Sequence, residues 1–277
     1  MEILDKDSID KYILTNLSVG ERGKACSKEL MREVVGLILY RLKTGCQWRM
    51  LPLQQFFTTE SLSWQGTYYH FREWVKDGSW SKVWIAILSA HKDKLDLSSM
   101  QLDGSHTPCK QGGEAVGYQA RKKTKTTNSL FLADNQGQML ACATPQEGNH
   151  HDLFNIQSLF NELCEILSKA GIDLKGLFLN ADAGFDSQEL RKLCKEKQIE
   201  ANIAINSRNG VSQAEEYMYF DEELYKCRTV VEHANAWMDS FKALLVRFEK
   251  KTTTWVALLL LAFSVRFLRK IKQKSKS

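Results

Sequence analysis

Between residues 27 and 48, apolar side chains recur at intervals of three and four. Leu30, Val34, Leu37, Ile38 and Leu42 lie on one face of a predicted helix. Gly45 ends that pattern, and Pro52 prevents its renewal. A second stripe, Trp64, Tyr68, Phe71, Trp74 and Val75, stops at Asp77-Gly78, and a third helix is expected from Trp80 to Lys92. After "DKLDLSSM" the period shortens to two. "MQLDGSHT" reads as a strand, and "KTKTTNSLFLADNQGQMLACATPQ" as two more joined by the turn Asp134-Asn135-Gln136-Gly137.

"HDLFNIQSLFNELCEILSKAG" then returns to helical spacing, with Asp152 as the expected N-cap and Gly171 as the stop. "GLFLNAD" is a strand, "SQELRKLCKEK" a helix and "IEANIAIN" a strand. Three strands, a helix, a strand, a helix, a strand and a helix predict an α/β fold, a mixed sheet flanked by helices behind a small helical region. The last third reads as two helices. On a helical wheel, Val230, Ala234, Trp237, Phe241, Leu244, Leu245 and Phe248 fall on one side of the first. The apolar run Trp255 to Val265 is about half the roughly 20 residues of a membrane span, so it is expected as a buried helix.

Composition narrows the class. A chain of 277 residues with 43% hydrophobic residues can bury a full core. Seven cysteines at 26, 46, 109, 142, 164, 194 and 227 show neither zinc-site pairing nor the density of a disulfide scaffold, which points to reduced thiols. The acidic start "MEILDKDSIDKYIL" is not a secretory signal, so a cytoplasmic location is expected. The net charge of +5 is modest, but the basic residues cluster. Arg121, Lys122, Lys123 and Lys125 form one group, and Arg266, Arg269, Lys270, Lys272, Lys274 and Lys276 a basic tail.

Three acids stand out by position. Asp103 falls in or just after the first strand, Asp182 directly after the fourth, and Glu232 on a late helix. If the first and fourth strands are parallel neighbours, their ends bring Asp103 and Asp182 together. Carboxylates that close repel unless a cation is present, and hard oxygen ligands suit Mg²⁺. Each acid also has a plainer reading. Asp103-Gly104 and Asp182-Ala183-Gly184 are turn sequences, and Glu232 follows Arg228 by four residues, the spacing of a surface ion pair. Asp186, beyond the Ala183-Gly184-Phe185 turn, is expected to help start a helix, so Asp186→Asn should cost little. His150 and His151 are adjacent and lack partners at zinc spacing, which favours a structural role.

"LDGSHT", "LNADAGFDS" and "YKCRTVVEHANAWMDSFKALLVRFE" resemble the three acid-bearing segments of prokaryotic insertion-sequence transposases of the DDE class. The N-terminal "LILYRLKTGCQWRMLP" and "YYHFREWVKDGSWSKVW" are similar to the helical region that precedes the catalytic domain in those enzymes. Tyr225, Arg228 and Glu232 fit the Tyr-x2-Arg-x3-Glu signature. Asp239 stands where the family has a Lys, with Lys242 the nearest downstream substitute.

The resemblance implies an RNase H-like catalytic domain over 96–277, with C-terminal helices and the basic tail, behind a DNA-binding helical region over 1–95. It implies a transposase that cuts the ends of a mobile element and joins the 3′-hydroxyls to target DNA. Asp103, Asp182 and Glu232 would hold two Mg²⁺ ions, for which Mn²⁺ can substitute. DNA would be the partner, met by Arg121, Lys122, Lys123, Lys125, Arg228 and Lys242, and pairing of two ends implies a homodimer or larger assembly. Two rival readings stay open: a nuclease with the same carboxylates, and an inactive relative that only binds DNA.

Overall fold

The computed structural model describes residues 3–19, 26–206 and 220–274. Its N-terminal third holds α1 (Lys6–Ser8), α2 (Lys28–Thr44), α3 (Leu53–Phe56), α4 (Trp64–Lys76) and α5 (Ser79–Ala90). The boundaries follow from capping chemistry. Ser27 accepts the Leu30 amide at the start of α2, and Gly45 at φ 69° closes it. The five predicted inward residues of α2 are all buried. In α4 the inward side is turned toward Thr67, which is buried with Phe71 and Trp74, while Trp64, Tyr68 and Val75 are half-buried.

The sheet begins with β1 (Met100–Pro108), β2 (Gly117–Gln119), β3 (Thr124–Asp134), β4 (Met139–Cys142) and β5 (Gln146–Glu147). Then come α6 (Ile156–Lys169), β6 (Phe178–Ala181), α7 (Gln188–Glu196) and β7 (Glu200–Ile203). β1, β3 and β4 form the expected antiparallel meander, and the Asp134 carboxylate accepts the amides of Gln136 and Gln138 in its turn. β6 joins β1 in parallel and β7 joins β6 in parallel. The path β4-β3-β1-β6-β7 is that of an RNase H-like sheet, with β2 and β5 added against β3. Those two short strands carry no apolar alternation and were not predicted.

One expected cap is displaced. α6 starts at Ile156 with Asn155, at φ 52°, in the cap position, and Asp152 instead accepts the Asn128 side-chain amide at 2.7 Å.

The last third differs from its periodicity. In place of one long helix there are α8 (Glu222–Lys226), a 3₁₀ turn at Cys227–Thr229, α9 (Val230–Met238), α10 (Lys242–Leu245) and α11 (Thr252–Lys274). Lys43 ties down Ser240 through its carbonyl at 2.8 Å and its hydroxyl at 3.3 Å, in the break after α9. Arg247 is buried and donates to the Glu249 carbonyl, which holds the chain after α10 in a non-helical path. Leu245 and Phe248, both placed inward by the wheel, are 37% and 52% exposed. α11 is a buried helix as expected, and its Phe263 and Phe267 meet Trp84 of α5 edge-on at 5.7 and 6.2 Å. Among the described residues no helix is long and apolar enough to cross a membrane. Lys276 of the basic tail lies outside the described residues.

The chain divides into two compact units, Met1–Ala90 with Lys110–Gly113 and Met238–Ser277, and His91–Cys109 with Glu114–Trp237. In the first unit α10 and α11 pack with the N-terminal helices. The second unit contains the sheet, α6 to α8 and nearly all of α9.

Candidate catalytic site

Asp103 and Asp182 are set by strand register. Met100 pairs with Leu179 and Gln101 with Asn180 in the parallel ladder. Continued two residues past its last pair, that register puts Asp103 beside Asp182, the residue that follows β6, and the Asp182 carboxylate is near enough to raise the Asp103 carboxyl. The Asp103-Gly104 pair is strand interior, opposite Phe131 and Leu130 of β3, and not a turn. A Cβ at Gly104 would collide with the Asp152 carboxylate, which would have to move aside. Asp182 does end a strand: its Oδ1 accepts the Gly184 amide at 2.8 Å and caps the 3₁₀ turn Ala183–Phe185.

Asp103 sits in a costly electrostatic position. Burial pushes the Asp103 carboxyl up to about 6, against the pull of the Arg228 guanidinium, and the Asp182 and Asp152 carboxylates add to the rise. This donor set fits a hard divalent cation, since two hard oxygen ligands with too little positive charge nearby are what such an ion satisfies. Glu232 does not complete the pair in this structure. Its side chain is 65% exposed and lies 3.9 Å from Arg228. Among the described residues no group of three His, Cys, Asp or Glu side chains is arranged to hold a metal ion.

The helix that carries Glu232 is nonetheless tied to the acidic strand ends. Asn235, one turn beyond Glu232 on α9, donates to Asp103 Oδ2 at 3.0 Å. Gly137, in the β3–β4 turn at φ 70°, lets Val230 and Ala234 of α9 approach closely. A buried asparagine pair fixes the approach to α9. Asn202 of β7 donates to Asn180 of β6 at 2.8 Å and to the Asp221 carbonyl at 2.9 Å, while Asn180 donates to the Leu224 carbonyl at 2.8 Å. Sequence reasoning missed Asn180, Asn202 and Asn235. The first two had a visible signal, a single amide in each of two apolar strands.

Asp186 is not a helix cap. Ser187 caps α7 by accepting the Leu190 amide. Asp186 is buried, takes Arg191 Nε at 2.9 Å and the Asn206 amide at 2.8 Å, and forms an ion pair with Arg191. The expectation that its loss costs little is therefore reversed, because its removal leaves a mostly buried guanidinium without its counter-ion.

Arg121, Lys122 and Lys123 are exposed in the turn between β2 and β3, and Lys125 is exposed on β3 itself. Lys122 also donates to the His106 carbonyl of β1 at 2.8 Å. Arg228 is half-buried, 6.0 Å from the centre of the Tyr225 ring. Lys242 opens α10 and belongs to the first unit, not to the unit of the acids. α9 ends at Met238 and α10 begins at Lys242, so Asp239 lies between the two helices. His150 stacks on Phe154 at 3.6 Å between ring centres, a structural contact.

Comparisons with known proteins place the chain. A model of IS4/5-family transposases matches residues 12–84, and a transposase DDE domain model matches residues 95–267. A search of curated proteins gave no match. Among solved structures, the chain is similar to the Mos1 transposase paired-end complex with left transposon end, at 13% identity and TM-score 0.31, over 90% of this chain and 80% of that one. It is similar also to a pre-cleavage Mos1 transpososome, at 13% identity and TM-score 0.29, over the same shares. The DDE domain match spans more than half of the chain and includes all three acids, so the chain belongs to the DDE transposases.

Proposed function

We propose that this transposase cleaves the ends of an insertion sequence and transfers the freed 3′-hydroxyls to target DNA, with Asp103, Asp182 and Glu232 as its catalytic acids. The observation that supports this reading is the parallel register of β1 and β6, whose continuation brings Asp103 toward Asp182. Two Mg²⁺ ions, or Mn²⁺ in their place, bound at these carboxylates would activate the attacking oxygen and neutralise charge on the leaving one. Asp103 contributes a desolvated carboxylate whose charged form needs a cation. Asp182 contributes a carboxylate oriented by the Gly184 amide. Glu232 supplies the third acid when DNA draws Arg228 to a phosphate and releases the pair they form.

Arg121, Lys122, Lys123 and Lys125 are proposed to hold the DNA backbone near the strand ends by sequence-blind phosphate contacts. Lys242 is proposed as a further backbone contact. The helices of residues 1–95 are proposed to read the terminal repeats, where base contacts can give specificity. Pairing of two ends requires at least a dimer on DNA, acting in the cytoplasm at the nucleoid.

The test uses full-length protein, labelled DNA carrying the sequences that flank the coding region, a target plasmid and Mg²⁺. Wild type should cut the ends and join them, and Asp103→Asn, Asp182→Asn and Glu232→Gln should each abolish cutting while retaining DNA binding. Cutting at undiminished rate by any one variant removes that residue from the site. Cutting without joining identifies a nuclease instead.

A further inference from the structure

We propose that Asn235 is a positioning residue for the first acid, holding the Asp103 carboxylate and aligning α9 with β1 in one hydrogen bond; this rests on the function proposed above. The bond from Asn235 Nδ2 to Asp103 Oδ2, at 3.0 Å, links residues 132 apart in sequence and lies within one compact unit. Asp103 is surrounded by groups that oppose its charge, Asp182 and Asp152, and by one that favours it, Arg228. The Asn235 amide donates to the charged form and selects one orientation of the carboxylate, the usual task of a partner behind a ligating group. A neutral donor does this without cancelling the negative charge that a cation needs, which a lysine or arginine at the same place would do.

The second consequence concerns Glu232. Residues three apart are neighbours on a helix surface, so the contact that anchors Asn235 also sets where Glu232 stands relative to the strand ends. The other anchors of α9 support this placement. Gly137 admits Val230 and Ala234 closely, and the Asn180–Asn202 pair holds the segment leading into α8. Asn235 is the anchor that reaches an acid directly.

The experiment is a titration of full-length, metal-free protein with Mn²⁺, read by calorimetry. It uses wild type, Asn235→Leu, Asn235→Gln and Asp103→Asn, with the Mg²⁺ dependence of end cleavage measured in parallel. Asn235→Leu is expected to weaken Mn²⁺ binding and raise the half-saturating Mg²⁺ concentration about tenfold, the lower end of what loss of such a partner costs. Asn235→Gln, which keeps an amide donor, should recover part of the loss. If Asn235→Leu does not fold, Asn235→Ser, too short to reach Asp103, reads the same quantity. Unchanged Mn²⁺ binding by Asn235→Leu or Asn235→Ser, with binding lost in Asp103→Asn, overturns the role of Asn235 alone. Unchanged binding in Asp103→Asn overturns the metal-site reading on which it rests.

Discussion

Two aspartates, one inside β1 and one just past the turn that follows β6, show how differently the same side chain is used in one unit. Asp186 is buried with its charge answered by Arg191 at 2.8 Å and by the Asn206 amide. Asp103 is desolvated in the company of Asp182 and Asp152, with Arg228 as partial compensation, and its carboxyl rises to about 6. The first arrangement is complete without any ligand. The second carries an electrostatic cost, which a cation bound at the proposed site would relieve.

The contrast can be broken first at Asp186. Asp186→Ala should lower folding stability by about 3–5 kcal/mol, because it leaves Arg191 mostly buried without its counter-ion. Chemical denaturation measures this, and a loss below about 1 kcal/mol would remove Asp186 from the framework. Next is Gly104→Ala, whose Cβ meets the Asp152 carboxylate held by Asn128. Overpacking of this kind costs about 1–3 kcal/mol, and a melting curve unchanged from wild type would show that Asp152 is free to move aside.

Asp103→Asn should act in the opposite direction, stabilising the metal-free protein by about 2–3 kcal/mol at pH 7. Its folded carboxyl titrates near 6, above the ordinary 3.8, so folding is penalised as pH rises through that window. The gain from Asn should therefore vanish below pH 4, grow between the two values and stay level above. A gain independent of pH would assign the effect to packing. The smallest effect belongs to Glu232→Gln. It breaks an exposed pair at 3.9 Å and should change stability by no more than about 0.5 kcal/mol, so the loss of cleavage expected of it would not come from misfolding.

These differences mark what the sequence could say. Period-two and period-three-to-four patterns found β1, β3, β4, β6, β7, α2, α4, α5, α6 and α7, since each buries one face along a regular repeat. They failed where long-range contacts overrode the repeat. The wheel continued past Met238 because Phe241 and Leu244 are in phase with α9, but Lys43 and the buried Arg247 hold a different path. The neighbouring of Asp103 and Asp182 followed from strand order, whereas Asn235 touching Asp103 had no local signal. Asp186 was misread because capping residues and ion-paired residues look alike until Arg191, five positions on, is known to fold back onto it.

In the proposed site a bound cation answers the charge of Asp103. The most direct test of this is thermal melting of full-length wild type and Asp103→Asn at pH 7, each in EDTA and in Mn²⁺. Wild type should melt lower than the variant in EDTA and rise with Mn²⁺, while the variant should respond little. Equal rises in both proteins, or a wild type more stable than Asp103→Asn without metal, would contradict the account.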